Sequence, residues 1–306
     1  MDMARQHYRL TRIAPTPSGY LHLGNVLSFA LTAALARRTG ARILLRIDDL
    51  DRERVKPQYV QDVFDTLNYL GVPWDEGPRN YHEYEARYSQ TRRMHRYEEA
   101  LDRLRATQQV FACRCSRAEV GSRHSRGVYL GTCRHAELSL DEKGLSWRMD
   151  VSSGTEATFR DWNGTVVREV LPDTMHYYIV RKREGFPAYQ LASVVDDEYF
   201  GVDLIVRGAD LWESTLAQHV LADRLGLQAF PCATFVHHEL LITSGNEKLS
   251  KSAGDTSIQY LRKQGATRES IFGMIGTMAG LPGALSDWEQ LGNALMRRGG
   301  YTTPSR

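Results

Sequence analysis

One loop near the start of the sequence has the residue types of a phosphate site. It runs from Arg12 to Asn25, is rich in proline and glycine, and contains His22 and Gly24. Such a loop between a strand and a helix presents unpaired N–H groups at the positive end of the helix dipole, where phosphate is favoured. His22 and Asn25 can donate further hydrogen bonds, and Gly24 leaves room for a flat base. The alternative for this segment alone is an ordinary strand-to-helix loop with a surface histidine.

A second segment, Lys248-Leu-Ser-Lys251-Ser252, could act on the same phosphates. Two lysines on a serine-containing loop can contact a triphosphate and offset the charge that builds at the α-phosphorus when pyrophosphate is displaced. By itself, a loop of lysine and serine is usually solvated surface. The two segments together are much rarer by chance than either one, so they predict an ATP-dependent enzyme.

Three of the four cysteines, Cys113, Cys115 and Cys133, lie within one short stretch. Three thiolates and one further donor can complete a tetrahedral zinc site that stabilises a small insert with little core of its own. Such clustering favours a metal site in a reducing compartment over a disulfide framework. His124 or His135 could supply the fourth ligand. Three reduced cysteines that bind nothing remain the alternative.

These residues need a scaffold, and the sequence predicts strands that alternate with helices. Strands are expected at residues 8–13, 42–47, 177–180 and 204–206, and helices at 24–38, from Pro57 onward, at 90–106 and at 214–225. This order predicts a parallel βαβ sheet. Short alternating segments at 146–151, 156–160 and 165–170 indicate an inserted small domain.

The composition limits the classes of protein to consider. With 306 residues, 42% of them hydrophobic, the chain can bury a sizeable core, and its net charge of +2 is too small to indicate nucleic-acid binding by itself. The first residues lack a signal-peptide pattern and the longest apolar run, 26–36, is too short to span a bilayer, which predicts a cytoplasmic protein without a membrane partner. Cys232 is predicted to be a buried small hydrophobe. The first loop lacks the Gly-x-Gly-x-x-Gly fingerprint, which disfavours a dehydrogenase domain.

The two phosphate segments resemble the His-Ile-Gly-His and Lys-Met-Ser-Lys-Ser signatures of class I aminoacyl-tRNA synthetases. The similarity then narrows to the glutamyl-tRNA synthetase catalytic core, which it follows in order from about residue 8 to residue 255. It is carried by the segments 12–19, 45–51, 188–197 and 205–210. The resemblance implies a Rossmann-type doubly wound parallel sheet with an inserted small zinc-binding domain and a short helical C-terminal segment. The implied division is 1–108 and 173–255 for the catalytic core, 109–172 for the insert and 256–306 for the C-terminal segment.

The resemblance also implies an amino-acid pocket. Two arginines would pair a ligand carboxylate in forked geometry and an acid would hold its ammonium group. The pocket residues carried over from the family are Arg12, Ala14, Thr16, Asp48, Tyr189 and Arg207. Taken one by one, these residues could equally form surface ion pairs and a core tyrosine. Two positions depart from the family, since Asp48 stands where glutamate is usual and Ser193 where asparagine is frequent.

A short branch of this family, the glutamyl-queuosine tRNA(Asp) synthetases, resembles the chain further. Few residues follow Ser252, whereas full-length glutamyl-tRNA synthetases continue into a large helical domain that reads the anticodon. The branch attaches glutamate to queuosine in the anticodon of aspartate tRNA, and its zinc pattern implies Cys113, Cys115, Tyr129 and Cys133 as ligands of one structural zinc ion.

This resemblance implies L-glutamate, ATP with magnesium, and queuosine-containing tRNA(Asp) as substrates of a monomer. The residues expected to hold ATP and carry the chemistry are His22, Gly24, Asn25, Lys248 and Lys251, with Gly24 in the binding set only. Basic residues of the insert could contact single-stranded anticodon bases, although a solvated basic face is an equal alternative. These residues are Arg114, Arg117, Arg123, Arg126 and Arg134.

Two other functions stay open. One is a stand-alone enzyme that forms an aminoacyl-adenylate from another amino acid, or for another acceptor. The other is a non-catalytic paralogue that only binds tRNA. The intact His22, Gly24, Lys248 and Lys251 argue against the second, since a silent protein would not need phosphate chemistry in both segments.

Overall fold

A computed structural model describes residues 7–123, 128–241 and 257–299 of the chain. Contacts along the chain divide it into two compact units. The first unit holds the described residues up to Arg92, those of Val202–Asp210 and those from Thr234 onward. The second unit holds the described residues of Arg93–Gly201 and of Leu211–Ala233. The four segments predicted from the sequence, with boundaries after residues 108, 172 and 255, stay a prediction.

Short strands and longer helices make up the described residues. In chain order the strands are β1 Leu10–Ile13, β2 Arg42–Leu45, β3 Val110–Cys113, β4 Ser146–Met149, β5 Glu156–Asp161, β6 Val166–Val170, β7 Ile179–Arg181, β8 Leu204–Gly208 and β9 Thr234–His238. The helices are α1 Leu23–Thr39, α2 Pro57–Leu70, α3 Tyr81–Glu83, α4 Met94–Ala106, α5 Arg117–Arg123, α6 Tyr189–Phe200, α7 Trp212–Arg224, α8 Ile258–Lys263, α9 Arg268–Met278 and α10 Trp288–Arg298.

A parallel sheet forms the centre of the first unit. Strand β1 pairs in parallel with β2 on one side and with β8 on the other, and β8 pairs in parallel with β9. Apart from Arg42 at the start of β2 and Gly208 at the end of β8, the residues of these four strands are buried. Parallel strands are typically covered on both faces, which explains this burial. The predicted α/β fold with a parallel sheet is therefore confirmed.

Helix α1 follows β1 and carries the first phosphate segment at its start. Leu27, Leu31 and Leu35 are almost completely buried along it. The helix ends at Gly40, whose φ of 77° is in the left-handed region that glycine adopts without strain. Helix α10 packs closely on α1 at Gly292, where a Cβ atom would lie only 2.3 Å from the Cβ of Ala34. This contact holds the C-terminal helices against the core of the first unit.

The second unit combines a three-stranded antiparallel sheet and an antiparallel hairpin with helices. Strands β3, β4 and β7 form one sheet, and β5 and β6 form a hairpin. Helices α4 and α6 are joined by a buried ion pair in which Arg93 donates to both carboxylate oxygens of Asp196 at 2.7 Å. Tyr97 donates a third hydrogen bond to Asp196. Removing one partner of such a pair would leave a buried charge uncompensated.

Most predicted elements are confirmed with shifted ends. The strand expected at 42–47 stops at Leu45, and the helix expected at 90–106 is a short 3-10 turn, Gln90–Arg93, followed by α4. The prediction for Cys232 is wrong, because this residue is exposed at the end of a surface turn whose buried residue is Phe230. Among the described residues, no helix is long and apolar enough to cross a membrane.

Candidate active site

The start of α1 is organised by His22 itself. Its Nδ1 accepts a hydrogen bond from the backbone N–H of Gly24 at 3.1 Å, and Asn25 Oδ1 accepts one from the backbone N–H of His22 at 3.0 Å. This reciprocal pair is a capping box with histidine in the place of serine or threonine. Because Nδ1 is an acceptor, the proton of the neutral ring lies on Nε2, which is then a hydrogen-bond donor. The predicted set of His22, Gly24 and Asn25 is thus brought together at a helix N-terminus.

Ser257 connects this N-terminus to the lysine segment through the chain. Lys248 and Lys251 lie outside the described residues, but Ser257 forms an antiparallel bridge with His22, and Ile258 N–H donates to Leu21 O at 2.7 Å. Lys251 and Ser257 are six positions apart, so even a fully extended chain cannot separate their Cα atoms by more than about 22 Å. The long lysine side chain adds to this reach.

The carboxyl ends of β1, β2 and β8 gather most of the predicted amino-acid pocket. Arg12 donates from Nη1 to Val206 O at 3.1 Å, which brings it beside Arg207 on the neighbouring strand. Both arginines are buried, with exposed fractions of 6% and 3%. The guanidinium of Arg207 lies over the ring of Phe235, 5.0 Å from its centroid. In open α/β sheets this edge is the usual place for a ligand.

Two further pocket residues lie in the loop after β1. Ala14 and Thr16 are half-buried there, on either side of Pro15. The backbone N–H of Asp48 donates to Pro15 O at 3.0 Å, so the loop after β2 lies against the loop after β1. Within the first unit, the structure therefore places Ala14, Thr16 and Asp48 in adjoining loops at the same edge of the sheet.

Asp48 has a partner that the sequence did not indicate. Arg46 Nε lies 2.7 Å from Asp48 Oδ1 and Arg46 Nη2 lies 3.1 Å from Asp48 Oδ2, a two-point contact with a buried guanidinium. This arrangement neutralises part of the charge expected to hold a ligand ammonium group. The hydrophobic pattern of the sequence did not indicate this ion pair, because Arg46 and Asp48 are two residues apart in a segment that leaves its strand at Leu45.

Asp49, next to Asp48, holds the scaffold and is fully buried. It accepts hydrogen bonds from the hydroxyls of Tyr84 and Ser89 and from the backbone N–H of Gln90. Burial, followed by the negative charge of Asp49, raises the pKa of Tyr84 above its usual range, so this phenol stays protonated and donates. The adjacent acids thus differ, since Asp48 is a predicted pocket residue that pairs with Arg46 and Asp49 is a structural residue.

Tyr189 belongs to the second unit, where it is the first residue of α6 with 40% of its surface exposed. One turn further along α6, Ser193 is buried, and its hydroxyl has no hydrogen-bond partner among the described residues. An exposed tyrosine at a helix N-terminus can contact a ligand. The predicted role of Tyr189 in the pocket stays a prediction.

The cysteine cluster also lies in the second unit. The Sγ atoms of Cys113, Cys115 and Cys133 all lie within 4.8 Å of one another, and those of Cys115 and Cys133 are 3.5 Å apart. Four ligands at the usual zinc–sulfur length would place sulfurs about 3.8 Å apart. The hydroxyl of Tyr129 lies 3.4 Å from Cys113 Sγ and accepts a hydrogen bond from Cys133 N–H at 2.7 Å. The donor set therefore fits a tetrahedral zinc ion.

The environment of the thiols also suits a cation. Burial raises the pKa of Cys133, but hydrogen bonds from the Arg114 backbone and the Tyr129 hydroxyl outweigh it and lower the value to about 7. Burial and the hydrogen bond with Cys133 raise the pKa of Cys115 to about 11. A zinc ion would displace the remaining protons on binding.

The other fourth ligands considered from the sequence are less well placed. His135 is exposed and is not part of the described group of possible metal ligands. His124 lies outside the described residues. The ring of Tyr129 is held by the guanidinium of Arg148 at 3.9 Å from its centroid and by Tyr177. This packing keeps the tyrosine oxygen beside the sulfurs.

The basic residues of this region differ in their partners. Arg114 is exposed, whereas Arg134 pairs with Asp150 at 2.8 Å and lies over the ring of Tyr177. The structure does not describe the side chains of Arg117 and Arg123 or any part of Arg126. Their predicted role in RNA contact stays a prediction.

The chain is similar to known proteins over most of its length. A profile of the family "tRNA synthetases class I (E and Q), catalytic domain" matches residues 10–287. A Glutamyl-Q tRNA(Asp) synthetase of Symbiobacterium thermophilum is 35% identical over 284 residues, which cover 88% of this chain and 86% of the relative. The protein of the same name from Rhodobacter capsulatus is 34% identical over 290 residues, which cover 87% of this chain and 99% of the relative.

The solved structures support the fold. The glutamate-tRNA synthetase of Elizabethkingia anophelis matches with a TM-score of 0.72 and 22% sequence identity, over 94% of this chain. The chain spans 65% of the length of that synthetase. At this identity the likeness shows a shared fold, in agreement with the parallel sheet of the first unit.

Proposed function

Since the chain belongs to the class I tRNA synthetases (E and Q) and is a ligase of the glutamyl-tRNA synthetase type, we propose that it activates L-glutamate with ATP and transfers it to queuosine in the anticodon of tRNA(Asp). The names of the relatives support this acceptor, because the chain matches 86% and 99% of the length of two proteins called Glutamyl-Q tRNA(Asp) synthetase. A tRNA substrate places the reaction in the cytoplasm. The monomeric state stays a prediction.

The observation that carries the proposal is the start of α1. His22 caps the helix through Nδ1 and is bridged to Ser257, five positions after the end of the lysine segment. Under this proposal, a nucleotide phosphate at this N-terminus would meet the positive end of the helix dipole, the His22 ring and the two lysines. Asn25 contributes by holding the backbone of His22 in place.

Activation is an in-line displacement at the α-phosphorus. A glutamate α-carboxylate oxygen forms a bond to this phosphorus, the bond to the bridging oxygen breaks, and pyrophosphate leaves. Lys248 and Lys251 offset the charge that accumulates, and the magnesium that accompanies ATP supplies further charge neutralisation. Positioning and electrostatics account for the acceleration without a covalent enzyme intermediate.

The amino acid would be held at the carboxyl ends of β1 and β8. The buried guanidinium groups of Arg12 and Arg207 suit a carboxylate of glutamate, since each offers several donors in fixed geometry. Asp48 would hold the ammonium group, with Arg46 fixing its orientation. The role of Tyr189, which belongs to the second unit, stays a prediction.

In the transfer step, a hydroxyl of the cyclopentene-diol ring of queuosine attacks the carbonyl of the mixed anhydride. An ester bond forms, the bond to AMP breaks, and the hydroxyl proton is released. Exposed cations such as Arg114 could contact the anticodon loop. Zinc held by Cys113, Cys115, Cys133 and Tyr129 would stabilise the fold of the second unit and take no part in the chemistry.

The proposal is tested by amino-acid-dependent exchange of pyrophosphate into ATP with the purified protein. Exchange is expected with glutamate and not with aspartate or glutamine, in the absence or presence of tRNA. Labelled glutamate should then be transferred to tRNA(Asp) that carries queuosine, and not to the same tRNA with guanosine at that position. Exchange without transfer would point to another acceptor, and no exchange with any of the three amino acids would exclude the proposal.

Because Asp48 pairs with Arg46, we expect the KM for glutamate to change when Asp48 is replaced by glutamate, the usual residue of the family at this position. Glutamate is one methylene longer, so Asp48→Glu would disturb the two-point contact with Arg46 and shift the ammonium position. We expect the KM for glutamate to change by about 10-fold with kcat altered less. Asp51→Glu, three residues away and paired with the exposed Arg54 instead of Arg46, is the matched control. An unchanged KM in Asp48→Glu would show that Asp48 does not contact the amino acid.

A further inference from the structure

A buried carboxylate on α2 contacts the loop that leads to α1. Asp62 is 3% exposed, and its Oδ2 accepts a hydrogen bond from the backbone N–H of Leu21 at 3.1 Å. The two residues are 41 positions apart in the sequence. Leu21 immediately precedes His22, so Asp62 acts on the backbone next to the proposed phosphate site.

The backbone of Leu21 links three parts of the first unit. Its N–H donates to Asp62 on α2, and its carbonyl accepts from Ile258 N–H at the start of α8. His22, the next residue, bridges to Ser257. A substitution of Asp62 is therefore expected to affect both the start of α1 and the start of α8.

Burying the Asp62 carboxylate on α2 is unfavourable unless the carboxylate accepts a hydrogen bond. Burial raises the pKa of Asp62, while the Leu21 N–H and the charge of Arg262 on α8 lower it and Asp65 on the same helix raises it. The other carboxylate oxygen of Asp62 makes only a long contact with Thr66 Oγ1, at 3.5 Å. The short contact, with Leu21, is thus the one that compensates for the loss of hydration.

We propose that Asp62 is a positioning residue for the activation step, which holds Leu21 so that His22 and Ser257 are aligned. The catalytic part of this inference rests on the proposed function, while the structural link does not. Asp62 does not touch substrate. It acts through the backbone of Leu21, and misplacement of a reacting group by about 1 Å can cost about 100-fold in rate.

The test compares Asp62→Leu, which removes the acceptor, with Asp62→Asn, which keeps an oxygen acceptor without the charge. Asp65→Leu, on the exposed side of the same helix, is the matched control. Amide hydrogen exchange is measured without substrates on peptides that contain Leu21 and Ile258. Asp62→Leu should speed exchange in both peptides, whereas Asp62→Asn and Asp65→Leu should resemble the wild type.

Glutamate-dependent pyrophosphate exchange provides the second measurement. In Asp62→Leu, kcat should fall by about 10- to 100-fold with the KM for glutamate within about 3-fold, and Asp62→Asn should recover most of the rate. If Asp62→Leu lowers the melting temperature by more than about 5 °C, Asp62→Ala replaces it in both measurements.

The outcomes separate this inference from the proposed function. Unchanged amide exchange at Leu21 and Ile258, or a full rate in Asp62→Leu, would overturn the positioning role. A rate loss that Asp62→Asn does not recover would also overturn it, since a hydrogen-bond acceptor alone should suffice. Wild-type protein without glutamate-dependent exchange would count against the proposed function, and the amide-exchange result would still decide the link through Leu21.

Discussion

Replacing His22 by alanine is expected to lower glutamate-dependent pyrophosphate exchange by about 100- to 1000-fold. Under the proposed function, the substitution removes a donor to the charge that develops on phosphate, and losses of this size are typical for one such donor. It also removes the cap from Gly24 N–H, which should reduce the free energy of unfolding by about 1 kcal/mol. The rate is measured by exchange, and the free energy by denaturant unfolding.

A second variant separates the two roles of His22. Asparagine is a favourable N-cap residue, so His22→Asn should restore the cap and the stability. Its side chain ends where the cap is made and cannot also donate from the position of Nε2, so the exchange rate should stay low. A rate that recovers together with stability in His22→Asn would show that His22 acts only as a cap.

The start of α1 could be predicted from the sequence because its signals are local. The proline- and glycine-rich loop, the residue pair His22 and Asn25 and the apolar stretch after them all lie within a few turns. The strands β1, β2 and β8 were predicted for a similar reason, since short apolar runs in alternation with helices specify a parallel sheet. These elements position the start of α1 and the predicted site residues at the carboxyl ends of the three strands.

The hydrogen-bond partners of Asp48, Asp49 and Asp62 could not be predicted from the sequence. Asp62 lies beside the apolar residues of α2 and would be assigned to solvent from its type alone, yet it holds Leu21. Asp48 and Asp49 are adjacent acids with different roles, because one meets Arg46 and the other meets Tyr84 and Ser89. Such differences depend on which side chain the fold brings to each carboxylate, a near neighbour for Asp48 and residues 35 and 40 positions away for Asp49.

Strand β9 and the exposure of Cys232 could not be predicted from the sequence either. Strand β9 is fully buried, but it ends in two histidines and was not predicted, because its type pattern is only partly apolar. Cys232 was expected to be buried because cysteine usually is. It is exposed because Phe230 occupies the buried position of that turn. The cysteine cluster could be predicted, since its members are close in the chain and the thiol has few other roles in that pattern.

Loss of one thiol from the cluster is expected to remove zinc and weaken the second unit. We expect purified wild-type protein to hold about one zinc ion per chain and Cys133→Ser to hold very little, because the hydroxyl of serine is a poor zinc ligand. Stability should fall by about 3 kcal/mol, which corresponds to a melting temperature lower by about 5 to 10 °C. Zinc is measured by elemental analysis, and cobalt substitution should give a thiolate charge-transfer band that Cys133→Ser lacks.

Cys232→Ser is the matched control, since Cys232 lies in the same unit, is exposed and is far from the cluster in the chain. It should keep both zinc and stability. Tyr129→Phe tests the fourth ligand, because it preserves the ring that packs under Arg148 and removes only the oxygen. Weaker zinc binding in Tyr129→Phe would support the tyrosine as a ligand. Unchanged zinc binding would assign the fourth position to another donor.

The effect of Cys133→Ser on glutamate-dependent exchange tests whether zinc is purely structural. Because His22 lies in the first unit, the variant should retain at least about a third of the exchange rate at low temperature. Complete loss of exchange in a folded protein would contradict a purely structural zinc.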